Sequence, residues 1–330
     1  MESSERYVIY QIEKTGINDL QEQLKKDFNT EIPYTATEIF EKDYYYNSWV
    51  DEKGEKDFQI IKKQIENEDN VKFLYAKGLF ESGVGKDKAI HNNQLLPRNA
   101  RVFNHETDVC FIEIDDILYA VLKINLSLES RIRSVLFNFK NNEGKKSKIK
   151  FRNINNYTLN SDFYYWMFYK STNHKIKDEL TFFNISSLSQ KDSTKAYNTN
   201  SVGDEILNYT NVLSGLGERQ DISKAQIGIN YKGSQIVAEI QKFCSFEVDS
   251  KIVKENYDDN DFINTALFIY VDLLPTLLKK YSEDKTCGIW NEDNTAETIK
   301  EWALLAIANL CVVNDIEIKE IVEKLEDDSN

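Results

Sequence analysis

The sequence predicts an α+β fold, mainly antiparallel sheet built from β-hairpins, with an α-helical C-terminal unit. Two strand pairs carry this expectation. VCFIEI and ILYAVLKI flank Asp115-Asp116, and KAQIGINY and SQIVAEIQ flank Lys232-Gly233, each a two-residue turn between apolar-rich strands. The third observation is a change of texture at Asp259, after which the apolar spacing is helical throughout.

Each element has its own reason. RYVIYQIE (Arg6–Glu13) has a strand pattern, and Ile17, Leu20, Leu24 and Phe28 fall on one helical face. EIFEKDYYYNSW reads as strand or irregular, a helix is expected near Asp57–Ile65, and NVKFLYA (Asn70–Ala76) is a strand. The Gly-, Lys- and Asn-rich stretch Lys77–Asn99 reads as a long loop. After the first hairpin, Leu128–Phe139 fits a short helix or a strand, and Asn141–Lys148 is a basic turn before the strand IKF. Ser161 is placed to cap an apolar helix through Trp166 and Tyr169, followed by a strand in LTFFNISSL. Ser201 is placed to open a helix over Asp204–Leu213, stopped by Gly215 and Gly217. FCSFEV extends the second hairpin. The C-terminal helices are Phe262–Tyr281, bent at Pro275, then Thr295–Val313 and Ile316–Leu325. Trp302 lies mid-face on the second of these, beside Ile299, Ala303 and Ala306, and is expected in the core.

A chain of 330 residues, 41% hydrophobic, suits two domains or one large one. The changes of texture divide it into an N-terminal α+β unit (1–128), a central basic and aromatic α+β unit (129–258) and an acidic helical unit (259–330). MESSERYVIY lacks the basic and apolar segments of a signal peptide. Of the longest apolar stretches, ALFIYVDLLPTLL is interrupted by Asp272 and Pro275, and WALLAIANLCVV falls well short of the ~20 residues that span a bilayer. A soluble cytoplasmic protein that does not engage membrane is expected. Cys110, Cys244, Cys287 and Cys311 show no metal or redox spacing, and His91, His105 and His174 are scattered. These patterns argue against a zinc hydrolase or a histidine-based nucleophile relay, and no cofactor is identified.

Charge is the most informative feature for function. The chain carries −14, yet Ser130–Lys195 holds 13 Lys/Arg against 5 Asp/Glu, and residues 246–330 hold 8 against 20. The basic stretch is also rich in aromatics, in RIRSVLFNFK, KKSKIKFR and DFYYWMFYK. Cations for phosphates and flat rings for bases are what an irregular or single-stranded nucleic acid needs. Arg131, Arg133, Lys145, Lys146, Lys148, Lys150 and Arg152 are the candidate contacts. On a strand, Lys146, Lys148, Lys150 and Arg152 would share one face. The plainer alternative is a solvated hairpin tip whose lysines guard a sheet edge.

Other candidates are weaker in pattern. GLFESGVGKDK is similar to a phosphate loop, but Asp87 follows Gly85-Lys86 and Leu79 or Phe80 stands where the first glycine belongs. Lys86, Lys88 and His91 could still meet an anion. Glu239 with Asp221 and Lys242 offers carboxylates for a metal-dependent nuclease, although Glu-x-x-Lys departs from the Glu-x-Lys spacing of PD-(D/E)xK enzymes. Glu113, Asp115, Asp116 and Lys123 offer a second such set, with Asp115-Asp116 better explained by turn chemistry. Asp272 reads as part of a solvated helix face.

The leading expectation is a bacterial or phage accessory protein that binds DNA or RNA through Ser130–Lys177, with antiviral defence as one setting. A divergent nuclease, needing Mg2+, is the second reading. The third is a protein–protein adaptor or inhibitor, because oppositely charged segments attract. On any of these, the acidic C-terminal helices offer a surface for a protein partner or for self-association.

Overall fold

The computed structural model describes residues 4–35, 37, 39–65, 68–141, 143–154, 156–173, 180–191, 198–248 and 257–327. The fold is α+β with antiparallel sheet. The chain forms two compact units, Glu5–Tyr157 with Asn256–Asp272, and Met1–Ser4 with Thr158–Glu255 and Leu273–Asn330.

In the first unit, β1 (Glu5–Ile12) leads through Gly16 into α1 (Ile17–Leu24), which buries Ile17, Leu20 and Leu24 as their spacing requires. Two short strands, β2 (Thr30–Glu31) and β3 (Tyr44–Tyr45), pair with each other. β4 (Ser48–Val50) and β5 (Ile61–Ile65) both pair with β6 (Glu68–Gly83). The helix expected near Asp57–Ile65 is therefore a strand: pairing with β6 outweighs a short helical periodicity. The expected loop Lys77–Asn99 is also structured. β6 continues to Gly83, and α2 (Lys86–Ala89), β7 (Ile90–His91), β8 (Gln94–Leu95) and α3 (Arg98–Arg101) follow. Asn92 and Asn93, both at positive φ, make the turn between β7 and β8.

The first hairpin stands as read, with β9 (Val102–Ile114) and β10 (Ile117–Lys123) in register Ile114↔Ile117 across Asp115-Asp116, both at positive φ. α4 (Leu126–Val135) resolves the ambiguous segment as a helix, and β11 (Ile149–Lys150) pairs with β1. The sheet order is β11-β1-β10-β9-β6, with β4 and β5 on the outer edge of β6.

The continuous apolar run of β10 has a physical cause: both sheet faces are covered. On one face α1 and α4 enclose Tyr10, Leu74, Phe111 and Leu122 together with Trp49, Phe137 and Phe139. Trp49 meets Phe111 at 5.5 Å and Phe137 at 5.6 Å, contacts worth about 0.5–1.5 kcal/mol each beyond burial. On the other face Phe262 stacks on Tyr7 at 6.0 Å, and the Tyr270 hydroxyl donates to the Tyr7 carbonyl at 3.1 Å. Asp272 corrects the expectation of a solvated face. It is 1% exposed and accepts the Tyr257 hydroxyl at 2.5 Å.

In the second unit, α5 (Ser161–Asn173) begins where Asn160, not Ser161, accepts the Phe163 amide at 2.9 Å. The sheet runs β13-β12-β14-β15-β16, from β12 (Leu180–Lys191), β13 (Asn198–Val202), β14 (Asp221–Tyr231), β15 (Ser234–Gln241) and β16 (Phe246–Val248). Ser201 lies in β13 opposite Leu188, so the helix expected from it starts later, as α6 (Thr210–Gly217). The C-terminal run starts in the first unit, with α7 (Asp261–Leu267) and a π-helical segment Phe268–Leu273 that ends at the unit boundary, and goes on in the second as α8 (Leu274–Thr286). Pro275 lacks an amide hydrogen and crowds the preceding turn, which the wider π segment relieves. This run is apolar enough to cross a membrane by composition, but 72% of its most apolar window is buried in protein. α9 (Glu292–Asn314) lies against α6, where a Cβ on Gly217 would stand 2.8 Å from that of Ala303. Trp302 is buried beside Tyr165 at 5.9 Å. α10 (Ile318–Asp327) closes the described chain.

Candidate nucleic-acid interface

The basic segment of the first unit is shaped by α4 and by the chain that returns from it to β1. Successive helical residues turn by about 100°, so Arg131 and Arg133 leave α4 on opposite flanks of buried Ile132. Arg131 turns inward to structural work. Its guanidinium donates to the Glu81 carbonyl at 2.8 and 3.1 Å and covers the Tyr45 ring at 4.8 Å. Arg133 points the other way, to Glu129 at 3.2 Å and over the Phe151 ring at 3.9 Å.

Beyond Phe139 the chain makes a narrow reversal. Lys140 bridges Lys146, the Asn141 carboxamide accepts the Glu143 and Lys145 amides, and Gly144 takes the positive φ that the turn requires. The returning strand is then pinned to β1. Ser147 is buried, its hydroxyl 2.7 Å from that of Thr15, and the Glu13 amide donates to the Lys148 carbonyl at 3.0 Å. With Ser147 held inward, Lys146 and Lys148 are exposed on either side of it. The regular strand spans only Ile149–Lys150, so the single four-cation face is not one continuous strand face.

The cations differ in what they touch. Lys150 binds Glu13 at 2.6 Å and Lys145 binds Glu143 at 3.1 Å. Lys150, by its hydrogen bond and charge, with Lys148 and Lys14 nearby, holds the Glu13 carboxyl below its ordinary 4.5. Lys140, Lys146 and Lys148 form no ion pair among the described residues. Phe151 is 37% exposed, with the Arg152 guanidinium 5.7 Å from its ring centre. Tyr10 meets Phe151 edge-on at 6.4 Å, and burial followed by Glu129 pushes its hydroxyl pKa far up, so it serves as a neutral donor to Glu129 at 2.9 Å. The result is an exposed ring close to two guanidiniums, next to unpaired lysines. Of the candidate cations, Arg133, Lys146, Lys148, Lys150 and Arg152 belong to this edge, Lys145 tips the reversal, and Arg131 is engaged elsewhere. Phe151 and Lys140 escaped the sequence reading, because exposure of one phenylalanine among many leaves no mark in composition. Lys175 and Lys177 lie outside the described residues.

The aromatic run DFYYWMFY is mostly core. Phe163, Tyr164, Tyr165, Trp166 and Phe168 are buried, and Lys170 pairs with Asp284 of α8 at 2.7 Å, where Trp166 also donates at 2.8 Å.

The carboxylate candidates separate. Glu239 faces Gln226 across the hairpin and pairs with Lys224 at 2.8 Å. Asp221, five residues along β14 and so roughly 15 Å away, pairs with Lys242 at 3.0 Å and accepts the Ser161 hydroxyl. In the other hairpin, Lys123 binds Glu5 at 2.9 Å. Glu113 is buried and accepts the Ile17 amide at 2.8 Å and the Lys72 ammonium at 2.7 Å. With Asp115, Asp116, Lys62 and Lys63 it lines a cleft of about 410 Å³. Among the described residues no group of three or more His, Cys, Asp or Glu side chains gathers as a metal site. One unforeseen contact joins Ser82 Oγ and His105 Nε2 at 2.7 Å. Neither a scan of protein-family models nor a search of curated proteins finds a match.

Proposed function

We propose that the chain binds single-stranded or irregular nucleic acid along the edge formed by Phe151, Arg133, Arg152, Lys146 and Lys148. One observation carries the reading: an exposed aromatic ring lies 3.9 Å beneath one guanidinium and beside a second, with unpaired lysines adjacent. Rings stack bases without regard to sequence, and the cations meet the phosphates that follow. Local acids offset only part of the charge, since Glu13 and Glu143 engage Lys150 and Lys145 while Lys146 and Lys148 stay uncommitted. The overall charge of −14 repels nucleic acid elsewhere and favours approach through this edge.

Fluorescence anisotropy against single- and double-stranded DNA and RNA tests this. Phe151→Ala should weaken single-strand binding by about 5- to 150-fold, the value of one stacked base. Reversal of Lys146, Lys148, Lys150 and Arg152 to Glu should abolish it. Wild-type binding to none of the four nucleic acids, or unchanged affinity in the quadruple variant, would sink the reading. The same incubations with Mg2+ report any cleavage.

A further inference from the structure

The distal half of α9 and all of α10 pose a problem that one chain does not solve. Up to Ala306, α9 buries one face with Thr298, Ile299 and Trp302. From Leu304 onward, Leu304, Leu305, Ile307, Leu310, Val312 and Val313 are all exposed, the last two at 82% and 81%. At about 100° per residue these six point in every direction around the axis. A helix that is apolar all round is normally enclosed on all sides. α10 adds a stripe at helical spacing, Ile318, Val322 and Leu325, which are 77%, 47% and 64% exposed. At these exposures the nine side chains together present on the order of 500–1,000 Å² to water. The largest apolar patch on an ordinary monomer is ~300–600 Å², and a standard stable interface takes ~800 Å² from each partner.

We propose that α9 and α10 form a homodimerisation arm, paired with the same two helices of a second copy about a two-fold axis. Three features select a second copy over other occupants. An arm apolar on all sides needs cover on more than one side, and two exchanged helix pairs, packed as a four-helix bundle, provide it. One flank of the α10 stripe is self-complementary: Glu317 stands at its start and Lys324 near its end, so antiparallel pairing sets each Glu317 beside the second copy's Lys324, while on the other flank Lys319 is paired with Glu323 within the helix. The apolar run of α9 is too short to span a bilayer, and its acidic flanks, Glu292, Asp293, Glu297, Glu301 and Asp315, are repelled by anionic lipid.

Sedimentation equilibrium of the full chain tests the arm. The wild type should sediment at twice 38.5 kDa at micromolar concentration. Leu310→Asp with Val313→Asp should weaken association at least about thirty-fold, the minimum for loss of an interface hot spot, with far-UV circular dichroism unchanged because both positions are solvent-exposed in the single chain. Glu317→Lys should weaken association, and adding Lys324→Glu should restore it. A monomeric wild type at tens of micromolar, or a dimer indifferent to the paired aspartates, would overturn the proposal. A dimer that loses mass with the aspartates but ignores both charge swaps would overturn the antiparallel pairing.

Discussion

Trp302 offers the sharpest test of how the second unit is held together. Its side chain is 5% exposed and its ring lies 5.9 Å from that of Tyr165 in α5, so it ties α9 to the body of the unit. A tryptophan buries ~200 Å², which at ~25 cal/mol per Å² gives about 5 kcal/mol as an upper bound. Truncations of buried Trp and Phe to Ala cost about 3–5 kcal/mol. For a unit of this size each kcal/mol lowers the midpoint by ~2–4 °C. Trp302→Ala should therefore lower the melting transition of the second unit by roughly 6–20 °C in differential scanning calorimetry, and Trp302→Phe should recover much of the loss. The transition is assigned to this unit by near-UV dichroism, where the Tyr165–Trp302 pair contributes. A variant that melts at the wild-type temperature and loses only self-association would refute the packing argument.

Further outcomes follow from individual groups. Glu113→Ala should cost about 1–3 kcal/mol in chemical denaturation, because the fully buried Ile17 amide loses its acceptor while half-exposed Lys72 is rehydrated. Glu113→Gln keeps an acceptor and should cost less, and equal losses would argue against the capping role. Stability should fall on acidification. Burial pushes the Asp162 carboxyl up, but the Tyr281 hydroxyl, Lys285 and the Trp290 indole outweigh it and leave it below its ordinary 3.8. Burial likewise raises Asp221, with the Ser161 hydroxyl and Lys242 outweighing it, and Glu13 is lowered first by its bond to Lys150. A lowered carboxyl stabilises the fold above its unfolded pKa, and that contribution disappears as pH falls through the folded value. Burial and then Arg131 lower His105 from 6.5, so a smaller loss should begin as pH drops below that value. A midpoint that rises between pH 5 and 3 would contradict these assignments. Glu239→Gln should leave the fold intact and lose only a half-exposed pair with Lys224, worth at most about 1 kcal/mol.

Local chemistry was legible in the sequence, and long-range pairing was not. Asp115-Asp116 and Gly233 marked the two hairpins because few residues other than Asn, Asp and Gly accept positive φ readily, and Lys232 takes its positive φ beside Gly233. Leu20 and Leu24 of α1, and Trp302 of α9, were placed by periodicity alone. FQIIKKQI reads as a helix from its spacing because that spacing fits both periods, and only pairing with β6 decides. Ser201 looked like a cap because Asp204 and a helical pattern follow, yet its backbone is claimed by β12. Asp272 shares its helix side with polar residues in the sequence, and only the fold brings Tyr257, fifteen residues earlier, over it. The candidate interface shows the same division. Its cations were visible as a cluster, but their commitments depend on Glu13, which lies 137 positions from Lys150, and on the way α4 sends Arg131 and Arg133 apart.

The central claim rests on uncommitted cations beside an exposed ring, and its most direct test is the salt dependence of single-strand affinity. With about four phosphates neutralised, the logarithm of the binding constant should fall with the logarithm of salt at a slope near −3, taking ~0.7 per contact for single strands. Replacing Lys146 and Lys148 with Gln should flatten that slope by about one or two, and Lys145→Gln, which removes a cation already paired with Glu143, should change it much less. A flat wild-type slope, or a slope untouched by removing Lys146 and Lys148, would contradict the assignment of this edge to nucleic acid.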